Sequence, residues 1–94
     1  KINEEIPVSY NLYQNYPNPF NPVTVIKFDI SKNTFVSLKV FDAIGREVEE
    51  LVKGDVEPGS YNVEWNAEKY NSGIYFYMLK TDTYSQSRKM IVIK

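Results

Sequence analysis

Thr24-Val25-Ile26-Lys27-Phe28-Asp29-Ile30 repeats with a period of two: Thr24, Ile26, Phe28 and Ile30 share one face, and Val25, Lys27 and Asp29 share the other. That alternation marks a strand buried on one side. It returns in Val36, Leu38 and Val40 against Ser37 and Lys39, and in Tyr61, Val63 and Trp65 against Asn62 and Glu64. Further strands are expected at Arg46 to Val52, Ile74 to Thr81 and Ser87 to Lys94, with an irregular leading strand within Val8 to Asn15. Arg46 to Lys53 can also be drawn as two helical turns with Val48, Leu51 and Val52 on one face, but it is short and hemmed by glycines.

Turn chemistry separates the strands. Glu57-Pro58-Gly59-Ser60 has proline then glycine at the centre and predicts a tight type II hairpin. Lys32-Asn33, Ile44-Gly45, Lys53-Gly54-Asp55, Asn71-Ser72-Gly73 and Asp82-Thr83 supply the other reversals. Many short antiparallel strands with two inner faces predict an all-β, immunoglobulin-like sandwich of about seven strands. Trp65 is the expected centre of its core, surrounded by Phe28, Leu38, Val40, Val63 and one face of Tyr75, Tyr77 and Leu79.

Before the first regular strand stands Tyr16-Pro17-Asn18-Pro19-Phe20-Asn21-Pro22. Each proline fixes its own φ, lacks an amide donor and pushes the residue before it towards extended geometry. The segment therefore reads as a stiff, extended lead into the domain, with Asn18 and Asn21 bonding their own backbone in turns and Phe20 as an apolar plug.

Composition sets the outer limits. Ninety-four residues hold one small core, and an aromatic content of 15% separates the chain from disordered sequences. Eleven basic against twelve acidic side chains, with no basic run, argue against nucleic acid as a partner. The apolar run Met90 to Ile93 is too short to span a bilayer as a helix. Lys1 is expected to begin a fragment whose targeting signal lies upstream. Without cysteine or histidine, the commonest general base, the commonest transition-metal ligand and the thiol nucleophile are all missing, and no cofactor is called for.

Glu47, Glu49 and Glu50 could suggest a carboxylate pair or an oxygen-ligand metal site, but on a regular strand Glu47 and Glu49 face one side with no second ligand set, and a solvated face is the better account. Asp42, at a strand end, is expected to anchor the following turn. The tyrosines, among them Tyr10, Tyr13, Tyr16, Tyr70, Tyr75, Tyr77 and Tyr84, could form with Trp65 a stacking platform for sugars. They better suit positions with the ring in the core and the hydroxyl at its rim, and alternation sends Tyr75 and Tyr77 to one face and Phe76 to the other.

Four blocks, in order, carry a family resemblance: Leu12 to Pro22 followed by Thr24 and Ile26; Phe41-Asp42-Ala43-Ile44-Gly45-Arg46-Glu47-Val48; Gly59, Trp65 and Ser72-Gly73-Ile74-Tyr75-Phe76-Tyr77; and Lys89-Met90-Ile91-Val92-Ile93-Lys94. The chain resembles the C-terminal sorting domain of the bacterial type IX secretion system. Ser31-Lys32-Asn33 and Tyr70-Asn71 depart from the family pattern. The resemblance implies an immunoglobulin-like sandwich that catalyses nothing and directs a fused cargo, such as a secreted hydrolase, across the outer membrane. It implies an outer-membrane translocon and a surface peptidase as partners, with the cargo as an N-terminal domain of the same chain. The protein would transit the periplasm and end secreted or at the cell surface, with residues 1–8 as the linker that is cut and residues 9–94 as the sorting domain.

By the same resemblance the machinery recognises Gly45 and Arg46, Gly73 and Tyr75, and the terminal block Lys89, Met90, Ile91, Val92, Ile93 and Lys94, by surface docking or by strand addition at an ordinary terminal edge. Pro17, Asn18, Pro19, Phe20, Asn21 and Pro22 form the leading motif. Gly59, Trp65 and Gly73-x-Tyr75 are also similar to the immunoglobulin-like domain of flagellar hook-capping proteins, so a structural spacer is the alternative, with a sugar-binding accessory module of a secreted enzyme as a third reading.

Overall fold

A computed structural model of the chain describes residues 6–94, so most of the expected linker, residues 1–5, lies outside the described residues. Seven strands form: β1 (Asn11–Leu12), β2 (Val23–Ile30), β3 (Thr34–Phe41), β4 (Glu47–Val56), β5 (Gly59–Asn66), β6 (Gly73–Lys80) and β7 (Ser85–Val92). They make two antiparallel sheets, ordered β1-β2-β5 and β4-β3-β6-β7. Alternation explains the layering. Ile26, Phe28 and Ile30 from the first sheet meet Val36, Leu38, Val40, Tyr77, Leu79, Met90 and Val92 from the second, and all are essentially inaccessible. Trp65 is buried among them, edge-on to Phe20 and Tyr75, while Val63 is half-buried at the margin.

Sheet membership overturns one expected hairpin. β4 and β5 flank Glu57-Pro58 but lie in different sheets, so this corner crosses the sandwich. Gly59 has φ 156°, far from the value of about +80° that a type II turn needs at its second central residue. Lys53-Gly54-Asp55 is no turn either: it continues β4, paired with Val36 at Gly54. β4 is a strand and not a helix, but an irregular one. Its register with β3 shifts between Leu38 and Lys39 and again between Val40 and Phe41, which leaves Leu51 and Val48 as extra residues. Each such bulge flips the facing of the residues beyond it.

The β3–β4 hairpin is built by Asp42. Its backbone amide donates to Arg46 O (2.8 Å), Gly45 N donates back to Asp42 O (3.0 Å), and Gly45 takes φ 91°, where a side chain would be strained. The β6–β7 reversal is closed by Thr81, whose Oγ1 accepts from the amides of Thr83 and Tyr84.

Candidate functional site

β3 runs eight residues from the Ser31–Asn33 corner to the Asp42–Arg46 turn, a span of roughly 26 Å that separates two poles of a body 42 Å long. At the first pole Tyr10 packs on Tyr84 at 5.4 Å, so the leading segment enters beside the Ser31–Asn33 and Asp82–Tyr84 loops. At the second pole the Asp42–Arg46 turn faces Lys69–Tyr75 across an open groove of about 420 Å³. The fold thus brings two of the sequence-selected blocks, Gly45-Arg46 and Gly73-Tyr75, to one place. The terminal block joins them: Gly73 pairs with Val92, and Lys94 donates its amide to Ser72 Oγ at 3.0 Å and its ammonium to Glu68 O.

The members of these blocks differ in access. Arg46 is exposed, its Nε donating to Asp42 Oδ2 at 2.9 Å. Asp42 Oδ1 accepts from the amides of Ile44 (3.1 Å) and Arg46 (2.9 Å), so the turn anchor is made as expected. The Arg46 amide, with the guanidinium beside it, holds the Asp42 carboxyl below the usual range. Lys89, Ile93 and Lys94 are exposed and Ile91 is half-buried, but Met90 and Val92 are core residues. Tyr75 is buried with its hydroxyl donated to Asn71 O at 2.8 Å. β7 stops at Val92, so Ile93 and Lys94 lie beyond the strand that was expected to reach residue 94.

The terminal strand's edge is not bare, which corrects the expectation of an ordinary edge open to strand addition. Gln14 Nε2 donates to Lys89 O (2.7 Å), the Ile91 amide donates to Asn18 Oδ1 (2.9 Å), the Phe20 amide donates to Ile91 O (3.0 Å), and the Ile93 amide donates to Phe20 O (2.9 Å). Every outward backbone group from the Lys89 carbonyl to the Ile93 amide is thereby satisfied. The prolines explain the division of labour. Pro17, Pro19 and Pro22 have no amide to give, so the backbone pairing falls to Phe20, while Gln14 and Asn18 bond through their side chains. Asn18 was expected to bond its own backbone; it reaches the terminal strand instead. Phe20 plugs the core as expected, at 3% exposure, and its backbone forms a parallel bridge with Val92. The Tyr16–Pro17, Asn18–Pro19 and Asn21–Pro22 peptide bonds are cis.

The acidic cluster is not a uniform solvated face. The bulge at Val48 puts Glu47 opposite Phe41 on the outer face and Glu49 opposite Val40 on the inner one. Glu47 pairs with Lys39 at 3.3 Å. Glu49 Oε1 accepts from Trp65 Nε1 (3.0 Å), which satisfies the indole donor at the core's rim, and shares the Tyr70 hydroxyl with Val48 O, both at 3.1 Å. Burial first, and then Glu49, push the Tyr70 hydroxyl above its ordinary pKa. Tyr70, one of the departures from the family pattern, therefore serves as a lid over Trp65, with ring centroids 5.5 Å apart.

Other tyrosine hydroxyls also meet partners within the domain, although Tyr16 is 80% exposed. Tyr77 donates to Tyr13 O (2.6 Å) and accepts the Asn15 amide (2.7 Å), and burial raises its pKa to about 12. Tyr61 donates to Glu57 O, and Tyr84 pairs with Gln86. These rings serve the framework on several elements and do not line up as one platform. Among the described residues no group of three His, Cys, Asp or Glu side chains is placed to hold a metal ion.

A second polar node, missed in the sequence, sits on Asp29. This buried carboxylate accepts from Asn11 Nδ2 (3.0 Å), the Tyr13 hydroxyl (2.5 Å) and Ser60 Oγ (2.7 Å), tying β1, β2 and β5 together. Burial raises its pKa, but those bonds and Lys27 more than offset this and hold it below the ordinary value. The only sequence signal was a polar residue inside an apolar run.

One family model, described as a secretion system C-terminal sorting domain, matches residues 14–94. No curated protein matches the chain.

Proposed function

The chain belongs to the family of type IX secretion C-terminal sorting domains, and on that premise we propose that it carries a cargo fused at its N-terminal side through the periplasm to the outer-membrane translocon, after which a surface peptidase cuts within residues 1–8. A domain of this family is a secretion signal and not a catalyst, engages the type IX machinery, and marks its protein as secreted or cell-surface. Residues 9–94 form the sorting domain in this reading, and the cargo is released or joined to a surface glycolipid after the cut.

The observation that supports this assignment is bipolar. The leading segment enters at one pole, beside Tyr84, while Gly45, Arg46, Gly73, Lys89, Ile93 and Lys94 gather towards the other, where a tethered cargo does not obstruct them. Docking on that surface is favoured over strand addition, because the edge of β7 is already occupied by Asn18 and Phe20. The test uses a reporter fused ahead of residues 1–94 in a host with a type IX system, with two variants: a compact folded tag after Lys94, and Lys89→Glu with Lys94→Glu. Both variants should keep the parent's melting temperature while the reporter stays in the periplasm. Undiminished export of both would remove the terminal block from the recognition surface.

A further inference from the structure

On the outer face of the β4-β3-β6-β7 sheet, positions that alternation assigns to solvent are apolar next to the groove. Phe41 pairs with Phe76, which pairs with Lys89 on the far side, and one row nearer the groove Ile74 pairs with Ile91. Phe41, Phe76 and Ile91 are only half-exposed, yet none packs against the buried core. They shield one another on the outside of the sheet. Ile74 is 42% exposed and lines the groove together with Ile44, which is 77% exposed. The two features therefore form one continuous apolar surface, on the order of 10 Å wide across three strands.

Two cations at its margin stand outside any ion pair among the described residues. Among the described residues the ion pairs are Lys39–Glu47 and Arg46–Asp42, which neutralise the carboxylates nearest the patch. Lys69 lines the groove and Lys89 borders Phe76, and neither has a carboxylate partner there. An apolar centre with unpaired cations at its margin complements a partner with apolar side chains flanked by carboxylates. Resting on the sorting assignment, we propose that Phe41, Ile44, Ile74, Phe76 and Ile91, bordered by Lys69 and Lys89, are the surface on which a segment of the type IX machinery bearing apolar side chains flanked by carboxylates docks.

The experiment uses the 94-residue chain with isoleucine-methyl labels, titrated with the purified type IX translocon in nanodiscs, and in parallel the reporter fusion in cells. The Ile44, Ile74 and Ile91 methyl signals should shift or broaden while that of Ile26, inside the core, does not. Ile74→Ser with Phe76→Ser should weaken binding by about tenfold or more and lower export. Affinity should fall as salt rises. Should the serine pair melt lower than the parent, Lys69→Glu with Lys89→Glu, on exposed side chains, decides the matter by the same loss of binding at an unchanged melting temperature. Export and binding of both variants at the parent's level overturn the docking surface while leaving the sorting assignment intact. A parent fusion that is not exported overturns the assignment and this proposal together. Two further results overturn the proposal: binding to vesicles of phosphatidylcholine and phosphatidylglycerol in place of the translocon, which assigns the patch to a lipid surface, and self-association abolished by the serine pair, which assigns it to a second copy.

Discussion

Replacing Phe20 with alanine tests the link between the proline-rich segment and the terminal strand. The ring is 3% exposed and lies 5.9 Å from the Trp65 ring, so truncation leaves a cavity beside the largest core residue. A buried Phe→Ala change costs about 3–5 kcal/mol. A small domain has a total stability of roughly 5–15 kcal/mol, and at a urea slope of about 2 kcal/mol/M the midpoint should drop by roughly 1.5–2.5 M. Trp65, the single tryptophan, reports the transition by fluorescence. Hydrogen exchange adds the local readout: the Ile91 and Ile93 amides, held by Asn18 Oδ1 and Phe20 O, should be protected in the parent and exchange much faster in Phe20→Ala than the Leu38 amide between two paired strands. A loss below about 1 kcal/mol, or fast exchange at Ile91 and Ile93 in the parent, would refute the view that this segment closes the sandwich.

Three further side chains and turns have measurable consequences of their own. Glu49→Ala should cost about 1–3 kcal/mol by stranding the Trp65 donor, since the Tyr70 hydroxyl keeps Val48 O as an acceptor, whereas Glu49→Gln, which keeps an acceptor oxygen, should cost less; paired urea melts compare them. Asp29 titrates below its ordinary value when folded, so its contribution is complete above the unfolded pKa of 3.8 and disappears as pH falls through the lower folded one. Melting temperatures taken from about pH 5 down to about pH 2 should therefore fall less steeply in Asp29→Asn than in the parent. Gly45→Ala should lose about 1–2 kcal/mol through backbone strain alone, since open space surrounds the site; an unchanged melt would contradict the φ of 91°.

Local rules made much of this fold legible. Period-two alternation located β2, β3 and β5, the remaining stretches were found with shifted ends, Asp42 and Gly45 announced their turn, and Trp65 stood where the core needed a large ring. The features that escaped depend on partners distant in sequence. Nothing in Glu57-Pro58-Gly59 says whether the next strand pairs with β4 or crosses to β2, because that choice is made by which apolar face each strand must cover. The bulges at Val48 and Leu51 reversed the facing of Glu49, and only the register with Val40 reveals it. The candidate surface was half legible. The glycine-containing blocks could be named from their residues, but their convergence on one pole needed the hairpins, and the occupied edge of β7 needed contacts more than seventy residues apart, as between Asn18 and Ile91.

Sorting by the type IX system can be measured by fusing a folded periplasmic reporter ahead of residues 1–94 and tracking it in a type IX host and in the same host lacking the translocon. Reporter should appear in the medium or on the cell surface in the first strain and stay in the periplasm in the second. Retention in both, in a host that exports its own cargo, or equal release from both, would contradict it.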